Sequence, residues 1–332
     1  MKIDIARRGN PAPAKSATGI GAIAVAVLWS TSGLAAGQDA GSCDKACLER
    51  IADQYRAAYV KHDPTLAPIA PNVRFVENNV EMLSFPDATW DTVTEEVGPA
   101  LTLSDPQTGN IGIYTSIMQN DTPGFLAVRL KVEGGQITEI EHIISTRRNL
   151  SSPPTPIGDV REYRHDPIFY EIVPPEKRLP RERLIQHANG YFSTLENNTG
   201  EIRGTCFRPD AMRHENGLRF TEIEKGFRSG RYRFNNRVRD RDFFLVDEER
   251  QVVMARGYID HKGVLDEYTL TDGTRTRSVF REPQTWSFLE SFKIEDDCIA
   301  GVIATFTAAP YYIRSPFDPD PDPVYDAHRP AK

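Results

Sequence analysis

Two segments of the chain repeat one pattern. Pro71-Asn-Val-Arg-Phe-Val-Glu-Asn-Asn-Val-Glu-Met82 aligns without a gap to Pro209-Asp-Ala-Met-Arg-His-Glu-Asn-Gly-Leu-Arg-Phe220. Each places Glu-Asn-(Asn/Gly) between strand-like runs, so Asn78-Asn79 and Asn216-Gly217 read as two-residue hairpin turns with positive φ. Upstream, Leu48, Ile51, Ala52, Tyr55, Ala58 and Tyr59 follow the spacing of a helix with one buried face. Leu184, Ile185, Ala188, Tyr191, Phe192 and Leu195 do the same, with Tyr191 corresponding to Tyr55. Downstream, Asp105 to Asp121 matches Asp247 to Gly263 as turn, strand and turn, and Lys131-Val-Glu-Gly-Gly-Gln-Ile137 matches Lys293-Ile-Glu-Asp-Asp-Cys-Ile299. A repeat longer than about 100 residues implies duplicated domains, not a solenoid of short units.

The repeat sets the expected boundaries. Residues 1–36 carry Lys2, Arg7, Arg8 and Lys15, then an apolar run from Ile20 to Trp29 and small residues through Ala36, the pattern of a signal peptide. Residues 43–149 form the first domain, 150–179 a proline-rich linker, 180–314 the second domain and 315–332 a disordered tail. The leader holds four bases against one acid, so its removal takes the formal charge from −7 to −10. That balance argues against a nucleic-acid partner. No run reaches the length of about 20 apolar residues that a stable membrane insertion needs. The expected location is secreted or periplasmic. An even count of cysteines in an exported chain points to disulfides. Three pairings are open, and the one that closes within each domain joins Cys43 to Cys47 and Cys206 to Cys298.

One amphipathic helix, a short hairpin, and a meander of strands ending in Lys-(Val/Ile)-Glu-x-x-x-Ile resembles the nuclear transport factor 2-like, or SnoaL-like, superfamily. The tandem arrangement behind a signal peptide resembles a secreted two-domain family of fungi and bacteria. The resemblance implies an α+β fold of two tandem cone-shaped units, each with helices on a strongly curved, mostly antiparallel sheet. Members of that superfamily include isomerases, cyclases, dehydratases, lyases, hydrolases and binding proteins without activity, so the fold alone names no reaction.

Candidate site residues come from strand periodicity. Trp286, Phe288, Glu290, Phe292 and Ile294 share one face of a strand, and four of the five are large and apolar. Glu290 therefore points into the core, where burial raises a carboxyl pKa toward the range of a general base or acid. The bland alternative is a buried ion pair with an arginine. The matching residue of the first domain is Val128, so that domain is expected to support the second. On the preceding strand, Val253, Ala255, Gly257, Ile259 and His261 share the inner face, with Gly257 expected to leave space opposite Glu290. His261 is a candidate acid–base partner or a solvated turn residue. His214 is the third catalytic candidate, or a hairpin residue paired with Arg219. His142 reads as a satisfied core imidazole.

Tyr191, Tyr258, Arg237, Arg239 and Trp286 complete the expected substrate-binding set, with the arginines drawing an anionic group or guarding a sheet edge. The extra length between Val264 and Pro283 is expected as a loop or hairpin near the pocket mouth. No nucleophile elbow, phosphate loop, dinucleotide fingerprint or close metal-ligand pair occurs, so no cofactor and no metal is expected. The reading is an exported enzyme moving a proton at carbon, an isomerase, lyase or dehydratase, on a small substrate, with Glu290 as base. Alternatives are a hydrolase in which Glu290 activates water, or a non-catalytic ligand-binding or assembly module. Homo-oligomerisation is left open.

Overall fold

A computed structural model describes residues 43–147, 156–265 and 267–317, which belong to one compact unit spanning 39–332. The leader therefore lies outside the described residues. Helix α1, Lys45–Lys61, starts where Asp44 accepts a hydrogen bond from the Cys47 amide and ends at His62, which turns left-handed at φ 56°. Its buried stripe is Leu48, Ile51, Ala52, Tyr55, Ala58 and Tyr59. Then follow β1 (Ile69–Glu77), β2 (Val80–Glu81), α2 (Thr89–Thr92), β3 (Val93–Asp105), β4 (Asn110–Gln119), β5 (Thr122–Glu133) and β6 (Gln136–Thr146).

The second repeat runs in the same order. It comprises α3 (Arg181–Leu195), β7 (Phe207–Glu215), β8 (Leu218–Phe220), α4 (Ile223–Arg228), β9 (Arg237–Asp247), β10 (Val252–His261), an inserted hairpin β11 (Glu267–Thr269) and β12 (Arg275–Arg277), then β13 (Gln284–Glu295) and β14 (Cys298–Ala309). Asn78, Asn79, Asn216 and Gly217 all take positive φ, as a two-residue hairpin turn demands. The first sheet is ordered β2-β1-β6-β5-β4-β3 and the second β8-β7-β14-β13-β10-β9. In each, one parallel pair, β1 with β6 or β7 with β14, closes an otherwise antiparallel ladder.

The expectation of two cones is corrected here. Both sheets are open, with β2 and β3, or β8 and β9, left at the edges, and neither closes on itself or curls strongly. The physical reason lies in what covers the strands. Leu126, Val128 and Leu130 of β5 pack under α1, whereas Ala127 joins Leu101, Tyr114 and Ile143 against Leu245, Met254, Leu289 and Ile303 of the second sheet. The central strands therefore bury both faces, one beneath the helix and one against the other repeat. This layering explains why Ser287, Leu289, Ser291 and Lys293, the alternate set on β13, are buried as well.

Polar groups cross the same seam. Tyr114 and Ser291 share a hydrogen bond of 3.0 Å, and Arg256 donates to Glu141 at 3.0 Å. The described part of the linker is packed, with Ile157 and Val160 against Phe125 and Phe169 inside the seam. Gly158 donates to the Asn216 carbonyl at 2.8 Å and approaches Gly217 so closely that a Cβ would meet its carbonyl. Residues 312–317 run back over the seam: Arg239 binds the Ile313 carbonyl, Arg74 binds the Pro316 carbonyl, and Ser315 is buried. Cys43 is bonded to Cys47 and Cys206 to Cys298. Among the described residues, no helix is long and apolar enough to cross a membrane.

Candidate functional site

A cavity of about 350 Å³ opens between α3 and the helix-facing side of the second sheet. Period two along β13 delivers Trp286, Phe288 and Glu290 to it in succession, and β14 adds Ala304 and Phe306. Helix α3 contributes Tyr191 and Leu195, the segment after α4 contributes Tyr232, Phe234 and Asn235, and the insertion before β13 contributes Val279 and Phe280. Seven of its lining side chains are Phe, Tyr or Trp.

The polar groups gather at two places. Around Glu290 stand Tyr191, Tyr232 and two neighbours on β7, Arg213 and Glu215, which alternation puts on one face. The Arg213 guanidinium donates to the Tyr191 hydroxyl at 3.1 Å and the Tyr232 hydroxyl at 2.8 Å, and its Nε lies 2.8 Å from Glu215. Burial pulls the Arg213 pKa down, but the Glu215 charge together with the Tyr191 and Tyr232 hydroxyls outweighs it and leaves the group firmly cationic. Glu290 is only 4% exposed. Burial, then the nearby Glu215 carboxylate, pushes its pKa from 4.5 to about 8, against the pull of Arg213 and a hydrogen bond from Tyr191. At neutral pH it is therefore mostly protonated.

The second polar place is His261, at the end of β10. Its Nε2 lies 2.7 Å from Asn235 Oδ1, and its ring stacks on Phe280 with centroids 3.9 Å apart. Burial depresses its pKa to about 3, so the ring is neutral and Nε2–H donates to Asn235. Its Nδ1 is then a buried acceptor without a protein partner.

Of the residues singled out from sequence, the structure brings Glu290, His261, Tyr191 and Trp286 to this cavity. The others lie elsewhere. His214 pairs with Arg219 across the β7–β8 hairpin and packs against Tyr163, with its pKa lowered by burial. Tyr258 faces the seam, where its hydroxyl donates to Asn79 at 2.8 Å. Arg237 and Arg239 both bind the buried carboxylate of Asp260, with Nε distances of 3.2 and 2.9 Å. Their alternation signalled a basic stripe, but Asp260 on the neighbouring strand engages both and Asp240 pairs with Arg239 as well. Gly257 stands opposite Phe288, whose ring fills the space it leaves, and Glu290 faces Ala255. Sequence reasoning passed over Arg213, Glu215, Tyr232, Phe234 and Phe280. The recurring Glu77 and Glu215 of the two hairpins were the available signal.

In the first repeat the corresponding space is filled. Tyr55 hydrogen-bonds His142 Nε2 at 2.7 Å, and Trp90 closes over Tyr55 with ring centroids 5.2 Å apart. Where that repeat has Val128 and His142, the second has Glu290 and Ala304. The small Ala304 is part of what leaves the cavity open. Among the described residues, no group of three His, Cys, Asp or Glu side chains is placed to hold a metal ion.

Residues 177–306, most of the second repeat, match the family described as "Domain of unknown function (DUF8021)". No curated protein matches the chain. Among solved structures, a de novo designed protein with a curved β-sheet is 14% identical, over 39% of this chain and 88% of that one, with a TM-score of 0.26. AclR from Streptomyces galilaeus is 19% identical, over 36% of this chain and 77% of that one, with a TM-score of 0.21. Neither likeness is close enough to carry the fold or a function.

These findings correct the expected family and the expected reaction. No nuclear transport factor 2-like or SnoaL-like match supports the resemblance, and the open sheets lack its cone. An exported isomerase, lyase, dehydratase or hydrolase has no support from any relative. Within the cavity, Glu290 holds its proton at neutral pH and the His261 ring is neutral.

Proposed function

We propose that the second repeat is a receptor for a small, largely aromatic or alicyclic molecule whose polar end meets Glu290. The observation that supports this is the aromatic cavity of about 350 Å³ with an almost fully buried carboxyl at its closed end. That volume lies at the lower end of the range of small-molecule sites, as does its plan of apolar walls with a few converging polar groups. An oxidising compartment belongs to the proposal, supported by the two disulfides.

Calorimetric titration of the full chain with 2-(2-naphthyl)ethanol tests it. The expected outcome is one site per chain, lost by more than about tenfold in Ala304→Phe, which fills the cavity beside Glu290. No binding by the parent protein, or equal binding by a folded Ala304→Phe variant, overturns the reading.

A further inference from the structure

Among the described residues, Glu290 has no counter-ion of its own. Arg213 is the cation beside it, but its guanidinium is already committed to Glu215, Tyr191 and Tyr232. No salt bridge reaches Glu290 among the described residues, and its hydrogen bond comes from the neutral Tyr191 phenol. The closed end of the cavity thus holds two carboxyls and one positive charge. An ionised carboxylate buried there requires a further cation at close range.

The walls suit one. Tyr232, Phe234, Trp286 and Phe288 line the same cavity as Glu290. The negative faces of aromatic rings attract ammonium groups, an attraction that strengthens when water is excluded. An anionic ligand would instead have to share one guanidinium with Glu215.

From this arrangement we propose that the occupant is an organic cation, an amine on an aromatic or alicyclic body, whose ammonium group sits against Glu290 as a carboxylate. This rests on the reading of the cavity as a small-molecule receptor and specifies its ligand. The groups facing Glu290 are Tyr191 of α3, Arg213 and Glu215 of β7 and Tyr232 after α4, while Tyr114 lies behind its strand, in the seam. His261 lies in the same cavity and is neutral. The exchange balances simply. The ammonium enters charged, the Glu290 carboxyl gives its proton to the buffer, and the O–H bond is the only one broken.

The test is a matched series on the full chain at pH 7: 2-(2-naphthyl)ethylamine, 2-(2-naphthyl)ethanol and 2-naphthylacetate, titrated calorimetrically in phosphate and in Tris. The amine is expected to bind about tenfold more tightly than the alcohol. Each amine bound should release close to one proton, each alcohol none, and Glu290→Gln should remove both the preference and the release. An alcohol that binds as tightly as the amine, an amine that binds without proton release, or a carboxylate that binds most tightly overturns the cation assignment and leaves the receptor reading standing. Failure of all three compounds to bind overturns both. Proton release by the parent protein decides the matter even where the variant folds poorly.

Discussion

Lys45, at the start of α1, donates to both carboxylate oxygens of Asp247 at 2.9 Å, and its repeat equivalent Arg181 binds Asp105 in return. Each repeat thus anchors its helix to the turn after the other's edge strand. The backbone follows suit: Asp105 accepts from the Val246 amide at 2.9 Å and Asp247 from the Ser104 amide at 3.5 Å. Reciprocal contacts of this kind are the signature of a two-fold interface, here retained within one chain. They hold the seam together and leave the helix-facing side of each sheet to diverge.

Removing one carboxylate should weaken the seam strongly. Asp247 is 1% exposed and also bonds Arg250, so Asp247→Asn removes the carboxylate that the part-buried Lys45 and Arg250 share and leaves them only Glu249 and Glu49. Loss of one member of such a part-buried network typically costs about 1–3 kcal/mol. The urea midpoint of Asp247→Asn should fall accordingly, with Asp105→Asn moving the same way. A change within about 0.5 kcal/mol would show that the exchanged pairs contribute nothing.

Glu290 makes stability depend on pH in a direction opposite to most carboxylates. Its folded pKa of about 8 lies above its ordinary 4.5, so the folded chain holds a proton that the unfolded chain releases. Its contribution is complete below pH 4.5 and is lost as pH rises toward 8, by about 1.4 kcal/mol per pH unit. Glu290→Gln should therefore gain stability over the parent protein steadily across that window and by a constant amount above it. Parallel stability curves for the two proteins between pH 5 and 8 would contradict the raised pKa.

How much of this was legible follows from the range of each interaction. The hairpin turns at Asn78-Asn79 and Asn216-Gly217 and the buried stripes of α1 and α3 depend on neighbours in sequence, and the sequence pattern locates them. Glu290 could be placed inward because four large apolar residues share its face of β13. The alternate face, Ser287, Leu289 and Ser291, reads as solvated until the other sheet is known to cover it. Strand order says nothing of curvature, so a meander was taken for a cone. Arg237 and Arg239 looked free for an anion because Asp260, their partner, lies on the next strand. Arg213 and Glu215 were within reach of the same alternation argument, had the recurring hairpin glutamate been read as more than part of a turn.

His261 acts on the acid side. Burial lowers its pKa from 6.5 to about 3, so folding excludes a proton that the unfolded imidazole takes up. The contribution is complete above pH 6.5 and is lost as pH falls toward 3, again by about 1.4 kcal/mol per pH unit. His261→Phe keeps a ring against Phe280 and removes the titration. Its stability should fall less steeply between pH 6 and 4 than that of the parent protein, with His165, whose pKa burial lowers to about 4, responsible for part of the slope that remains. Equal slopes would mean that His261 is free to protonate in the folded chain.

The last prediction separates the two disulfides. Cys206 precedes β7 and Cys298 begins β14, so their bond staples the parallel pair of the second sheet across a sequence separation of 92. The first repeat makes the same junction without a staple. Ile137 donates to the Pro68 carbonyl at 2.8 Å, as Ile299 does to the Cys206 carbonyl at 2.9 Å. The geometry thus does not need the bond, and its contribution falls chiefly on the unfolded chain, where closing so long a loop is worth about 4 kcal/mol by chain entropy. Cys43 and Cys47 are four residues apart at the start of α1 and constrain the unfolded chain less. Replacing Cys206 and Cys298 together by alanine should therefore lower the urea midpoint about twice as much as the same change at Cys43 and Cys47, with far-ultraviolet circular dichroism unchanged in both. A larger loss from the Cys43 and Cys47 pair would mean that the short bond is needed to hold the start of α1, where Lys45 reaches across to Asp247.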